Sequence, residues 1–387
     1  MLAIVTSHPI QYQAALWRAL AADGRIPFEV WFLTPHAVEP SPDREFGRTF
    51  AWDVDLLSGY RHRFLDVHAG WRLDRFGGIR LRRPWNEELR SAGVSTLWLE
   101  GWRFRTLWSA AASARGAGAA LWLRGETHDL GPRRPGPRAW LRQLALRWLF
   151  RRTDRFLCIG TANRRFYERS GIPADRLAPA PYAVDVRRFS EAAGKLRPER
   201  AALRRRWQIA DDAFVALFCG KLIEKKRPLD LVAAARLAPR VGGRPLHLLF
   251  VGDGELAPAV RAALAATGAP PATLAGFLNQ SEMPAAFVAA DCLVLPSDHR
   301  ETWGLVVNEG LACGLPPLVS DRCGCAEDLA APLGDPHVFR FGDIGDLAAR
   351  LSGIAARPPS PAALDSLSSR HAPERTAETV AALLAPA

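Results

Sequence analysis

Short apolar runs alternate with amphipathic helical stretches along most of this chain, and that order restricts the fold more than any other feature of the sequence. LAIVTS (2–7) reads as a strand, QAALWRALAAD (13–23) as a helix with Ala, Leu and Trp at helical spacing, and FEVWFL (28–33) as a second strand. Strand–helix–strand order specifies a parallel sheet in an α/β domain. STLWLE, AALWLR (119–124) and RFLCIG (155–160) continue the series, and the helix TANRRFYERSG stops at Gly171 with Pro173 beyond it. Residues 181–212 are polar, charged and bear Pro and Gly, as a linker with a short helix would. The alternation then resumes more cleanly, through FVALFCG (214–220), LHLLFVG, ATLAGF, CLVLPS (292–297) and PLVS (317–320) with helices between them. The expectation is two Rossmann-like, doubly wound parallel-sheet domains facing a central cleft. Their bounds are set at 1–180 and 213–360, followed by a helical tail, 361–387, that can pack back on the N-terminal domain.

A chain of 387 residues, 48% hydrophobic, supports two cores. No apolar run is long enough to span a bilayer. The opening MLAIVTSHPIQYQ has no basic region before its apolar run, so it reads as a first strand rather than a leader. The six cysteines sit mostly in apolar contexts, as buried free thiols of a reducing cytoplasm would, and CGC at Cys323–Cys325 has no second pair at zinc spacing. The net charge of +11 is uneven. Residues 1–180 hold 28 arginines against 17 acidic residues, and 181–387 hold 23 of each sign. A basic half suits an anionic surface or substrate, and equally a solvated basic face.

In open parallel sheets ligands sit at the carboxyl ends of the strands. FVALFCG is followed by KLIEKKRP, in which Lys221 and Lys226 supply two ammonium groups suited to a diphosphate. LLFV is followed by GDGE (252–255), whose glycines allow close backbone approach. CLVLPS is followed by DHRETWGLVVNEGLACG, in which Glu301 falls in the loop, a helix starts near Trp303–Gly304, and Gly314 ends it. Amides around Gly304 and Leu305 form an anion site. Glu309 lies one to two turns into that helix beside apolar Val306, Val307 and Leu311. A carboxylate there needs partners: the two hydroxyls of a ribose, or an arginine.

E-x7-E followed by Ala-Cys-Gly-x-Pro resembles the signature of retaining glycosyltransferase family 4, which has the GT-B fold. FCGKLIEKKRP, VGDGEL, AGFLNQSEMPAAFVAADCLVLPS and ETWGLVVNEGLACGLPPLVSD follow the block order of that family. SHPIQYQAALWRAL, WDVDLLSGY, LRGETHD and PYAVDVRRF resemble a bacterial subgroup acting on surface polysaccharides and related glycans. The resemblance implies a nucleoside-diphosphate-sugar donor and an acceptor hydroxyl on a glycan or lipid-linked molecule. It implies no metal and no other cofactor. It places Glu309 on the ribose, Glu301 near the reacting centre of the donor sugar, and Lys221 and Lys226 on the diphosphate. Gly304 and Leu305 offer amides to the diphosphate, and the turn Gly276-Phe277-Leu278 abuts the base. The family usually has Arg where Lys221 stands, Phe for Trp303, Ala for Gly310 and Val for Pro317.

In the first half, His8 and Gln11 follow the first strand, and Glu126 and His128 follow ALWLR. The resemblance favours His128 as a group near the donor sugar. Asp53 and Asp55 in WDVD are paired aspartates of a kind that can hold Mg²⁺, but they stand away from a strand-to-helix exit, so a metal role is set aside. RAWLRQLALRWLFRR (138–152) places Leu141, Leu144, Ala145, Trp148 and Leu149 on one helical face with Arg138, Arg142, Arg147, Arg151 and Arg152 flanking it. Such a helix can pack on its own domain or lie on anionic lipid, at the inner face of the cell membrane. Two other readings stand beside glycosyl transfer: a GT-B-like sugar-nucleotide epimerase, and a non-enzymatic basic binding module. The arginines are not interleaved with aromatics in a nucleic-acid recognition motif, so nucleic acid is not an expected partner.

Overall fold

A computed structural model describes residues 1–36, 38, 41–43, 48–132 and 136–385, with side chains of 41–43 and 48–50 excepted. The chain divides into two compact units. The first comprises 1–39, 55–182 and 373–387; the second comprises 40–54 and 183–372.

The sheet of the first unit contains β1 (Leu2–Thr6) and β2 (Phe28–Phe32). A short antiparallel pair, β3 (Ser41–Asp43) and β4 (Arg48–Phe50), then goes with the second unit. The first sheet continues with β5 (His62–Phe64), β6 (Thr96–Glu100), β7 (Ala120–Arg124), β8 (Arg155–Cys158) and β9 (Leu177–Pro179). Its order is β5-β2-β1-β6-β7-β8-β9, and every pairing is parallel. Helices cover both faces, which is why β1 is buried at all five positions and reads as an unbroken apolar run. One face packs Trp31, Leu97, Leu107 and Phe156; the other packs Trp17, Leu20, Val30 and Trp98 together with Val380 of the terminal helix Pro373–Leu384. Gly171, at φ +80, closes the turn after Thr161–Arg169 by donating to the Glu168 carbonyl at 2.9 Å.

The second sheet holds β10 (Phe214–Cys219), β11 (Arg240–Val241), β12 (Arg244–Val251), β13 (Ala272–Gly276), β14 (Cys292–Leu295), β15 (Pro317–Ser320) and β16 (Val338–Phe339). Apart from the small antiparallel β11, the order is β13-β12-β10-β14-β15-β16, all parallel. In both sheets the first strand lies inside and the order reverses beside it, between β1 and β6 and between β10 and β14. That reversal opens a crevice at the carboxyl ends of the two strands.

The stretch 181–212, expected as a linker, contains two helices, Val186–Leu196 and Arg200–Arg206, built into the second unit. Its arginines conceal an apolar register: Phe189, Ala193 and Leu203 are buried. Arg200 and Arg204 grip Asp291 at 2.9 and 2.7 Å, so their charge belongs to a fixed network rather than to a solvated surface. All six cysteines are free and buried. No helix among the described residues is long and apolar enough to cross a membrane.

Candidate functional site

The second unit brings together the loops that leave β10, β12 and β14. They are interlocked by backbone: Gly220 donates to the Val251 carbonyl at 2.9 Å, Leu222 to Asp253 at 2.9 Å, and Gly252 to Gly276 at 2.7 Å. Gly252 has φ +131, and a β-carbon there would lie 2.0 Å from the Gly220 carbonyl oxygen. The GDGE run thus has a structural cause in the close passage of two strand exits. Gly252→Ala is expected to destabilise through overpacking, about 1–3 kcal/mol, and backbone strain of about 1–3 kcal/mol, read as a lowered urea midpoint.

Around this platform, Asp298 donates its backbone N–H to the Lys225 carbonyl at 2.9 Å, and Arg300 pairs with Asp298 at 2.7 Å and Glu224 at 3.4 Å. These bonds fasten the β10 loop to the β14 loop and set Lys226 against Glu301, whose ammonium and carboxylate form an ion pair. Burial opposes charge on Lys226, but the Glu301 carboxylate overrides it and holds the ammonium above its ordinary pKa. The Lys226 side chain turns back over the end of β10: its Nζ lies 3.9 Å from where a Gly220 β-carbon would stand.

Gly304 forms the mouth of helix Leu305–Ala312 at φ +106, with no side-chain cap. A β-carbon at this position would meet Leu295 Cδ2 at 2.6 Å, so only glycine allows the helix to begin this close to β14. Along the same helix, Val307 and Leu311 are buried against the domain. Trp303 Nε1 donates to Asn308 Oδ1 at 2.8 Å, tying the loop to the helix. Glu309 is buried, and its Oε1 accepts from Gln280 Nε2 at 3.2 Å. Burial raises its carboxyl to about 7, against the Gln280 hydrogen bond and the Arg188 guanidinium, which lower it. Arg188 in turn fixes Gln280, donating to its backbone carbonyl at 3.1 Å and to Oε1 at 2.8 Å.

Lys226 and Glu309 act on one common neighbour. The Cys219 thiol, raised by burial, is raised further by Glu309 and lowered by Lys226. The Cys323 thiol feels Glu301 and Lys226 in the same way. Lys226 pairs with Glu301, Glu301 Cγ lies 3.8 Å from where a Gly304 β-carbon would stand, and Glu309 follows on the helix that Gly304 opens, so these groups share the loops and helix at the β10/β14 reversal. Lys221 stands at the exit of β10, and partly buried Phe277 and Leu278 lie in the turn leading to Gln280.

Gln280 and Arg188 carry no assigned role in the sequence reading. They stand 92 positions apart and no spacing joins them, although each falls in a block quoted for the family resemblance. Asp53 has a structural part as well: it accepts from the Ser281 amide at 3.2 Å and from the Ser281 hydroxyl, while Asn279 Nδ2 donates to the Ala51 carbonyl at 2.9 Å. Residues 51–53 are thereby attached to the turn at 277–281. Asp53→Ala is expected to loosen that attachment, seen as faster amide exchange at 276–282, with little change in global stability. Asp55 is spent elsewhere, on Leu57, Ser58 and the Ser58 hydroxyl, and is held down at about 2 by these bonds.

In the first unit, His8 follows β1 and bonds Ser7 Oγ at 2.8 Å; burial, then His36 and Arg103, lower it to about 4, so it is a neutral imidazole near pH 7. Gln11 Oε1 is buried without a hydrogen-bond partner among the described residues. Glu126 accepts from the Tyr182 hydroxyl, with Tyr12 at 3.5 Å. Beside it, buried Arg124 meets Glu100 at 3.6 Å and lies 4.7 Å over the Tyr182 ring. His128 Nδ1 accepts from the Leu130 amide at 3.1 Å and so sits in a local turn after β7. Glu100 at the end of β6, Tyr12 at the start of helix Gln11–Asp23 and Tyr182 beyond β9 join this cluster without any sequence signal that singles them out.

Two parallel-sheet α/β domains of this order define the GT-B fold. Comparison with known proteins agrees: the chain superposes on Anabaena HepE in complex with UDP with a TM-score of 0.69, covering 99% of each chain at 14% identity. It superposes on sucrose-phosphate synthase from Thermosynechococcus elongatus with a TM-score of 0.69, covering 99% of this chain and 97% of that one at 16% identity. Residues 199–366 match the family of glycosyl transferases group 1. The chain is 34% identical over 237 residues to a D-inositol 3-phosphate glycosyltransferase of Geodermatophilus obscurus, covering 58% of this chain and 50% of the relative. It is 31% identical over 194 residues to a GDP-mannose-dependent alpha-mannosyltransferase of Mycobacterium tuberculosis, covering 50% and 44%. The chain thus spans about half the length of the curated relatives it matches.

Proposed function

We propose that this protein is a retaining glycosyltransferase of family 4 that moves a sugar from a nucleoside-diphosphate donor to a hydroxyl of a glycan or lipid-linked acceptor. The observation that carries this reading is the Lys226–Glu301 pair and buried Glu309 gathered around one uncapped helix mouth at the β10/β14 reversal. An ammonium and a helix start suit a diphosphate, and a buried carboxylate with one side-chain donor among the described residues has lone pairs left for ribose hydroxyls. The relatives' names and the UDP bound to the Anabaena structure point to the same class of donor.

In this reading Lys226 and Lys221 neutralise the diphosphate without a metal. Gly304 and Leu305 offer amides to it, and Phe277 and Leu278 abut the base. Glu309 holds the ribose, Glu301 lies against the transferred sugar, and His128 is assigned to the donor sugar. Retention follows from departure of the diphosphate and attack by the acceptor on one face of the sugar.

A thermal-shift panel of UDP-, GDP-, ADP- and dTDP-sugars in EDTA tests the donor class and its independence of metal. At least one donor is expected to raise the melting temperature, and none doing so would refute the reading. Incubation with donor alone separates transfer from epimerisation, since an epimerase converts the sugar nucleotide without acceptor. The anomeric configuration of the product, by NMR, tests retention.

A further inference from the structure

We infer that the first unit carries a membrane-docking face for anionic lipid, formed by the projecting start of helix Pro137–Arg152. The sequence suggests one apolar stripe, Leu141, Leu144, Ala145, Trp148 and Leu149; the structure buries Leu149 of it, leaves Trp148 half-buried, and leaves Leu141, Leu144 and Ala145 exposed. Leu146, Leu149 and Phe150 are buried against the unit. Trp140, Leu141 and Leu144 face solvent, at 60%, 58% and 41% exposure. At about 100° per residue these two sets occupy opposite arcs of the helix. The inner arc packs on the unit; on the outer arc Trp148 is half-buried against Trp108, whereas Trp140, Leu141 and Leu144 stay exposed.

The geometry also explains why the outer residues are uncovered. Helix Arg105–Ala114 and helix Pro137–Arg152 are successive crossovers, β6 to β7 and β7 to β8, and lie side by side. Trp108 of the first stacks on Trp148 of the second at 6.0 Å. Trp108 is the fourth residue of its helix and Trp148 the twelfth. The second helix therefore begins about 12 Å beyond its neighbour, at 1.5 Å per residue, and its first two turns extend past that neighbour's start. Phe76, 55% exposed, sits at the mouth of the shorter helix, where its carbonyl accepts from the Arg105 amide at 2.7 Å.

Charge identifies the occupant. From Leu130 to Thr153 the sequence has seven arginines and no acidic residue. Arg147 and Arg151 are exposed on the same outer arc as the apolar side chains. Arginine stems lie along apolar surface while their heads bind phosphate, and tryptophan favours the headgroup boundary. Two helical turns with exposed Trp and Leu, in a stretch rich in arginine and devoid of acidic residues, fit a bilayer containing anionic headgroups. This inference does not depend on the proposed reaction.

The test is co-sedimentation of the full chain with phosphatidylcholine vesicles and with phosphatidylcholine–phosphatidylglycerol vesicles. Partitioning is expected to be about tenfold or more stronger on the anionic vesicles, as several arginines near a charged surface provide. The triple variant Trp140→Ser, Leu141→Ser, Leu144→Ser is expected to lose about tenfold or more of that binding. Arg138→Glu with Arg142→Glu is expected to remove the preference for anionic lipid. Circular-dichroism melts verify that the variants remain folded, as the exposure of these residues leads one to expect. Equal or absent binding to the two vesicle types would overturn the proposal. So would undiminished binding by the folded triple variant, which would reduce the effect to adsorption of arginines on any polyanion.

Discussion

Lys226→Ala is expected to abolish nearly all turnover and to destabilise the second unit at the same time. Lys226 and Glu301 are both largely buried, and each is the other's counter-ion. Removing one member of such a pair leaves a charge in a poor solvent, at a cost of about 3–5 kcal/mol. If the ammonium also faces the donor diphosphate, kcat/KM should fall by about two to three orders of magnitude, the scale seen when one stabilising donor is removed from a developing oxyanion. The two effects separate in a double variant. Lys226→Met with Glu301→Met removes both charges and keeps their bulk, so the urea midpoint should recover most of its lost value. Activity should stay lost, because the diphosphate still lacks its cation. Recovery of turnover together with stability would show that the pair is only structural. Wild-type turnover in Lys226→Ala would do so more directly.

The strand–helix alternation made both sheets legible in the sequence, because strands buried on two faces must be apolar throughout. The elements that escaped are those whose residues face water or spend charge internally. β5, with the sequence HRF, is a short edge strand exposed at its end, and it lacks an apolar run. Helices Val186–Leu196 and Arg200–Arg206 hide behind arginines bound to carbonyls and to Asp291. At the candidate site, the residues that follow strands could be read directly: Lys226, Glu301, Gly304 and Glu309. What fixes them could not. Arg188 and Gln280 come from distant elements, and the attachment of 51–53 through Asp53 is a long-range contact with no local pattern. The helix 138–152 shows the limit of periodicity most clearly. The expected stripe, Leu141 to Leu149, shares only Leu149 with the face that is buried, because Leu146 and Phe150 are the residues that packing covers.

Glu309 provides the strongest pH-dependent test. Burial raises its carboxyl to about 7, whereas an unfolded glutamate titrates near 4.5. The folded state thus holds this proton more tightly than the unfolded one. The stability that the neutral carboxyl provides is complete below about 4.5 and is lost as pH rises through about 7, a loss of about 3 kcal/mol by linkage. Glu309→Gln, which keeps the shape without the titration, should flatten that part of the pH–stability curve. Glu100 in the first unit, also raised by burial to about 7, contributes a similar slope that the variant leaves in place. Ribose hydroxyls donating to Glu309 would favour the carboxylate and pull its pKa down. A nucleoside-diphosphate sugar, whose diphosphate has no terminal phosphate left to titrate near neutrality, should then bind with release of up to about one proton between pH 5.5 and 7, and affinity should rise with pH by up to about tenfold per unit in that window. Calorimetry in two buffers of different ionisation enthalpy measures the released proton directly. In Glu309→Gln both the proton release and the pH slope should vanish, with affinity reduced at pH 8. Proton release unchanged in that variant would assign the titration to another group and remove Glu309 from the ribose.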